Sequence, residues 1–127
     1  MVSEMGRMSV VVVLFSHPDP EEAESLVLAL VEEKWVACGH ILPAGISLYA
    51  WEGKTVRDAE VNVILKAPDR DRKALVDRIR KGHPYTVPEI LIWPVSDGNP
   101  DYLEWVVMTA SKDRSRPRSG TGPEENR

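Results

Sequence analysis

Val36-Ala37-Cys38-Gly39-His40-Ile41-Leu42-Pro43-Ala44-Gly45-Ile46-Ser47-Leu48-Tyr49-Ala50-Trp51 is mostly apolar or β-branched, and Pro43, Ala44 and Gly45 interrupt it near the middle. Such a run reads as one long strand with a kink or bulge at the interruption. Glu52-Gly53-Lys54 begins a turn, and Glu60-Val61-Asn62-Val63-Ile64-Leu65-Lys66-Ala67 returns as a second strand, which makes a β-hairpin with a fairly long tip. Its outer half has to project from the body. Ile46, Leu48, Tyr49 and Trp51 lie there, and a single short chain supplies no obvious cover for them, so the arm is a surface for association with other copies.

Upstream, Val10-Val11-Val12-Val13-Leu14-Phe15 lacks polar alternation and reads as a central strand. Asp19 then caps a helix with Pro20 in its first turn and Glu21, Glu22 and Glu24 near its positive end. Ala23, Leu26, Val27, Leu30 and Val31 recur at spacings of three and four, which gives one apolar stripe to lay on a sheet.

Downstream of the hairpin, Asp69 is the expected cap of a second helix that buries Leu75, Val76 and Ile79 and stops at Gly82. His83-Pro84-Tyr85 and Pro88 make a rigid connection, since the residue before a proline is pushed out of the helical region. Glu89 to Val95 reads as the fourth strand, and Asn99-Pro100 opens a last helix with Tyr102, Leu103, Val106 and Val107 on one side. The order β-α-β-β-α-β-α belongs to the α+β class: a split β-α-β sandwich, one antiparallel sheet of four strands with helices on one face.

The 127 residues, 43% hydrophobic and 28% charged, have the length of one domain, with a short extension at 1–9, a folded body at 10–111 and a tail at 112–127. A net charge of -4 argues against nucleic acid as the default partner. The tail, 112–127, has five basic and three acidic residues and nothing apolar to bury from Ser115 onward, so it is expected to be disordered. The longest apolar runs fall far short of the roughly 20 residues that span a bilayer. A lone cysteine, Cys38, and the absence of a secretory pattern point to the cytoplasm.

Several stretches then carry a resemblance: Ala37-Cys38 leading to Ile41-Leu42-Pro43, Ser47-Leu48-Tyr49-Ala50-Trp51-Glu52-Gly53-Lys54, Glu60 through Lys66, His83-Pro84-Tyr85-Thr86-Val87-Pro88-Glu89-Ile90, and Pro94 followed by Gly98-Asn99-Pro100-Asp101-Tyr102-Leu103-Glu104-Trp105. In that order and spacing, over residues 10 to 107, the sequence resembles the CutA divalent-cation tolerance family. The resemblance implies a ferredoxin-like fold, a PII-like homotrimer whose hairpins interlock about a threefold axis, and a role in tolerance of copper and other divalent ions. The match has departures. Gly39-His40 stands where the family has an aliphatic or small residue and then often Asn. Of the copper ligands proposed in the family, a Cys ending the first strand and a His pair before Pro-Tyr, the sequence has Phe15 and Gly82-His83, so only His83 remains.

Candidate metal ligands are therefore His83, Cys38 and His40; the last two, two apart on a strand, share a face and need further ligands from elsewhere or from another subunit. Cys38 reads equally as a small buried residue, and His17, before Pro18, as a solvated loop side chain. Trp51, Lys66, Tyr85 and Glu89 are the candidates for a ligand cleft: the resemblance puts Lys66 and Glu89 beside Tyr85, and the aromatics, with Tyr49, Trp93 and Trp105, suit either a cleft or plain packing. Glu60 reads as a charged residue at a strand end, ordinarily solvated. No Gly-rich phosphate loop, His-Glu metal helix or nucleophile setting occurs. The Arg-bearing loop of acylphosphatases and the Asn-His-Gly-Ser setting of nucleoside diphosphate kinases, two enzymes of this sheet architecture, are absent too, and no catalysis is expected. Two readings stand: a non-catalytic homotrimer of metal homeostasis holding copper or another divalent ion, or a PII-like signalling or adaptor module with a small ligand at its subunit clefts and a protein partner that the sequence does not identify.

Overall fold

A computed structural model describes residues 9–110; the extension up to residue 8 and the tail expected at 112–127 lie outside the described residues. The order is β1 (Val10–His17), α1 (Pro20–Glu32), β2 (Cys38–Ile41), β3 (Gly45–Trp51), β4 (Lys54–Pro68), a 3-10 turn (Asp69–Asp71), α2 (Arg72–Lys81), β5 (Ile90–Pro94) and α3 (Pro100–Thr109). The sheet runs β2-β4-β1-β5, all pairs antiparallel, with β3 attached to the outer part of β4.

β4 is the spine. Its inner half pairs with β1, from Val61 opposite His17 to Pro68 opposite Val10, and its outer half pairs with β3, from Glu60 opposite Gly45 to Lys54 opposite Trp51. The single strand expected over Val36–Trp51 is thus two strands, broken at Leu42-Pro43-Ala44, where proline removes a ladder donor. The tip differs as well. It is a two-residue turn in which Glu52 (φ 50°) and Gly53 (φ 78°) both take the left-handed conformation, the geometry of a tight hairpin whose twist matches its strands. β4 consequently starts at Lys54, not Glu60.

Along β1, Val11, Val13 and Phe15 point to the helices and join Val63 and Leu65 against Ala23, Leu26, Val27 and Leu30 of α1 and Leu75 and Ile79 of α2. The first cap is as expected, with Asp19 accepting from the Glu21 and Glu22 amides. The second is not: Asp69 opens the 3-10 turn, α2 starts at Arg72 without a side-chain cap bond, and Asp69 pairs with Arg72 at 3.4 Å. Gly39 reflects close approach, for a Cβ there would stand 2.6 Å from Val27 Cγ1 and 2.8 Å from Leu65 Cδ2. α3 closes the end of the sheet by burying Val106 with Val10 and Ala37. By the alternation of side chains, Val12, Leu14, Ile64, Leu91 and Trp93 occupy the sheet face away from α1 and α2, where Leu91 and Trp93 are exposed.

Candidate ligand cleft at the base of the arm

β1 ends in a buried polar pair, Ser16 and His17, where the sequence reading had a solvated histidine. His17 is 0% exposed, with the His83 ring 4.8 Å away, and its Nδ1 accepts from the Asp19 amide at 3.0 Å as the backbone enters α1. With Nδ1 accepting, the proton of the neutral ring sits on Nε2, which has no hydrogen-bond partner. Burial, and next electrostatic repulsion between His17 and the neighbouring His83 ring, lower the His17 pKa; the weaker effects of Glu22 and Asp19 run the other way.

His83 follows the end of α2 at Gly82 and turns under the sheet. Its Nε2 lies 2.6 Å from the Ser16 carbonyl oxygen and its Nδ1 accepts from the Tyr85 amide at 3.1 Å. A carbonyl only accepts, so the two bonds define the neutral tautomer with the proton on Nε2, and both ring nitrogens are engaged. Ring contacts to Phe15 (6.1 Å), His17 (4.8 Å) and Tyr85 (5.1 Å) hold the imidazole on three sides. His83 therefore fixes the backbone of the Pro84–Glu89 segment to the end of β1, and this segment forms one wall of a cleft.

The opposite wall is the arm. Ser16, Leu48, Trp51, Glu60, Tyr85 and Glu89, with Ser47, Tyr49, Pro84, Thr86 and Val87, enclose a cleft of about 670 Å³. At its centre Glu60 is only 9% exposed; Ser47 donates to its Oε1 at 2.8 Å and Tyr85 to its Oε2 at 3.1 Å. Two residues along β4, Asp58 accepts from Tyr49 at 2.6 Å. Each phenol is held in its protonated form: burial, then the bond to Glu60, raises the Tyr85 pKa, and the bond to Asp58 pushes that of Tyr49 up to about 12.

Of the residues singled out from sequence, Trp51, Tyr85 and Glu89 line this cleft, and Tyr49 joins them. Lys66 does not: it lies opposite Val12 and Cys38, six residues along β4 from Glu60, or about 20 Å at the rise of an extended strand. His83 sits behind the cleft beneath Tyr85. Cys38 and His40 are on β2; His40 is exposed, while the half-buried Cys38 sulfur is 3.5 Å from the Tyr102 hydroxyl. Among the described residues no three His, Cys, Asp or Glu side chains are placed to hold a metal ion together. Glu60 is the residue that sequence reasoning misjudged. Extending β4 back to Lys54 would have put it in mid-strand, beside β3, instead of at a solvated end.

Among the described residues no helix is long and apolar enough to cross a membrane. The family profile described as CutA1 divalent ion tolerance protein matches residues 11–109. The divalent-cation tolerance protein CutA of Salmonella newport (strain SL254) is 44% identical over 96 residues, covering 76% of this chain and 84% of that protein. Among solved structures, the divalent cation tolerance protein of Thermus thermophilus superposes with a TM-score of 0.74 at 40% identity, covering 76% of this chain and 94% of that one, and CutA from Xylella fastidiosa with 0.78 at 32%, covering 80% and 98%. A CutA of Archaeoglobus fulgidus, described as periplasmic, superposes with 0.77 at 29%, covering 80% and 99%. With nearly the whole described body matched in both sequence and fold, this chain belongs to the CutA1 divalent ion tolerance family.

Proposed function

We propose that the protein serves in the response to divalent cations such as copper as a non-catalytic homotrimer in the cytoplasm, with its arms interlocked and its clefts at the seams between copies. The observation that carries this reading is the arm: Leu48 is 67% and Trp51 50% exposed, Ile46 is exposed beside them, and Leu91 and Trp93 expose a second apolar area on the sheet. Apolar area on that scale, left uncovered by the described residues, is what a further copy buries. The candidate metal donors remain His83, Cys38 and His40. Since no three donors gather within one chain among the described residues, a site with the three or four ligands usual for copper or zinc draws them from more than one copy. His83 can contribute only by giving up the Tyr85 amide or the Ser16 carbonyl.

Light scattering is expected to give about three times the chain mass of 14.2 kDa. Titration of the tag-free protein with copper at neutral pH is expected to show binding that weakens in His83→Ala and His40→Ala. A monomer mass, or an affinity indifferent to both substitutions, removes the corresponding half of the proposal.

A second reading, a PII-like signalling or adaptor module, is favoured by the cleft itself: a pocket with aromatic walls and one buried carboxylate is suited to a small ligand. A ligand that prefers the native state raises the melting temperature, so a thermal-shift screen of nucleotides and small metabolites tests it.

A further inference from the structure

We propose that the cleft at the base of the arm selects a small organic cation bearing N–H groups, such as a primary ammonium, with Glu60 as its charge partner and the rings of Tyr49, Trp51 and Tyr85 as its walls. The inference rests on the small-ligand reading of the cleft and adds the chemistry of the ligand.

Glu60 is the central observation. A carboxylate offers about four acceptor positions, and Ser47 and Tyr85 fill one on each oxygen. Both donors are neutral hydroxyls, which satisfy hydrogen bonds without cancelling a charge. Neither ion pair found among the described residues, Arg72–Asp69 or Arg78–Glu33, involves Glu60. A nearly buried carboxylate facing a cleft, with acceptor capacity left and no salt bridge among the described residues, is complementary to an N–H-bearing cation.

The walls sharpen the choice. Glu89 adds a second carboxylate, and among the described residues the lining contains no lysine or arginine, so a phosphate or carboxylate ligand would meet repulsion there. Aromatic rings such as the three that line the cleft attract a cation electrostatically over their faces, an effect that strengthens as water is excluded. Both phenols stay protonated at neutral pH, so each remains a hydroxyl whose oxygen can accept one further N–H. A neutral apolar ligand would fit the walls yet would leave the spare acceptor positions of Glu60 unpaired, the commonest source of strong discrimination in a polar site.

Three probes that share one apolar body separate the possibilities: 2-phenylethylamine (cationic at pH 7), 2-phenylethanol (neutral) and 3-phenylpropionate (anionic), titrated into the full-length protein by calorimetry or NMR. The amine is expected to bind at least about tenfold more tightly than the alcohol, the factor typical of a charge-assisted hydrogen bond, and the propionate more weakly than either. Glu60→Gln removes the charge, keeps an acceptor oxygen for one hydroxyl and turns an amide N–H toward the oxygen of the other, and is expected to bring amine and alcohol to equal affinity. Equal binding of all three probes, or preference for the propionate, overturns the inference while leaving a ligand-binding cleft. Binding of none overturns both. Amine affinity unchanged in a folded Glu60→Gln variant also overturns it, and if that variant does not fold, the ranking of the three probes on the unmodified protein decides.

Discussion

His17 and His83 show how a side chain's role is set by what is packed on it. His83 is saturated by two backbone groups, whereas His17 uses one nitrogen and leaves the other unpaired inside the protein. A buried imidazole with no charge partner strong enough to offset burial resists protonation, so its folded pKa lies below its unfolded value. The unfolded chain then takes up the proton more readily. The contribution of His17 to stability is complete above about pH 6.5 and declines as pH falls from there toward the folded pKa, by at most about 1.4 kcal/mol per pH unit. His17→Asn retains an acceptor for the Asp19 amide and cannot titrate. Urea unfolding at pH 7.5 and 5.5 is expected to show a smaller loss of stability on acidification in this variant than in the parent; equal losses would assign the acid sensitivity to other groups. Nothing in Ser16-His17-Pro18-Asp19 announced the burial, because it depends on His83 arriving from beyond the far end of α2. For the same reason the cleft was only partly legible: Trp51, Tyr85 and Glu89 stood out as types, while the value of Glu60 came from its neighbours across the strand.

At the scale of elements, local chemistry was most readable where it acts locally. The Val10–Phe15 run, the Asp19-Pro20 start of α1 and the Asn99-Pro100 start of α3 are short-range signals and all appear in the fold. The arm was harder to read, since Lys54-Thr55-Val56-Arg57-Asp58-Ala59 is a polar stretch that becomes strand only because β3 lies beside it and the Glu52-Gly53 turn sets the register. A glycine inside a strand marks either a bulge or a close approach of another element, and the sequence decides neither which nor against what. A Cβ on Gly39 of β2 would stand 2.6 Å from Val27 Cγ1 on α1 and 2.8 Å from Leu65 Cδ2, so Gly39→Ala pushes a methyl into two buried side chains. Overpacking of this kind costs about 1–3 kcal/mol. Denaturant midpoints of Gly39→Ala and of a control, Gly45→Ala, are the measurement: a Cβ on Gly45 meets nothing within 4 Å. Neither glycine has a positive φ, so alanine is compatible with both backbones, and a Gly39→Ala midpoint no lower than that of Gly45→Ala would mean that the methyl meets no resistance from Val27 and Leu65.

For the whole molecule, the question is where the apolar arm resides in solution. In an isolated chain Leu48 is two-thirds exposed, and replacing an exposed leucine by glutamate changes stability by no more than about 0.5 kcal/mol in either direction. In the proposed interlocked trimer the same side chain would be covered by a neighbouring copy, where burying a carboxylate is costly. The two states therefore give opposite outcomes for one substitution. Leu48→Glu is expected to lower the mass seen by light scattering to about that of a single 14.2 kDa chain and to lower the melting temperature markedly. The melting temperature of the parent is also expected to rise with protein concentration, because assembly stabilises only the folded chain and does so by mass action. An unaltered mass and melting temperature for Leu48→Glu would mean that the arm stands free in water. The clefts would then belong to single chains, and the cation probes would find the same Glu60 site without any neighbour to complete it.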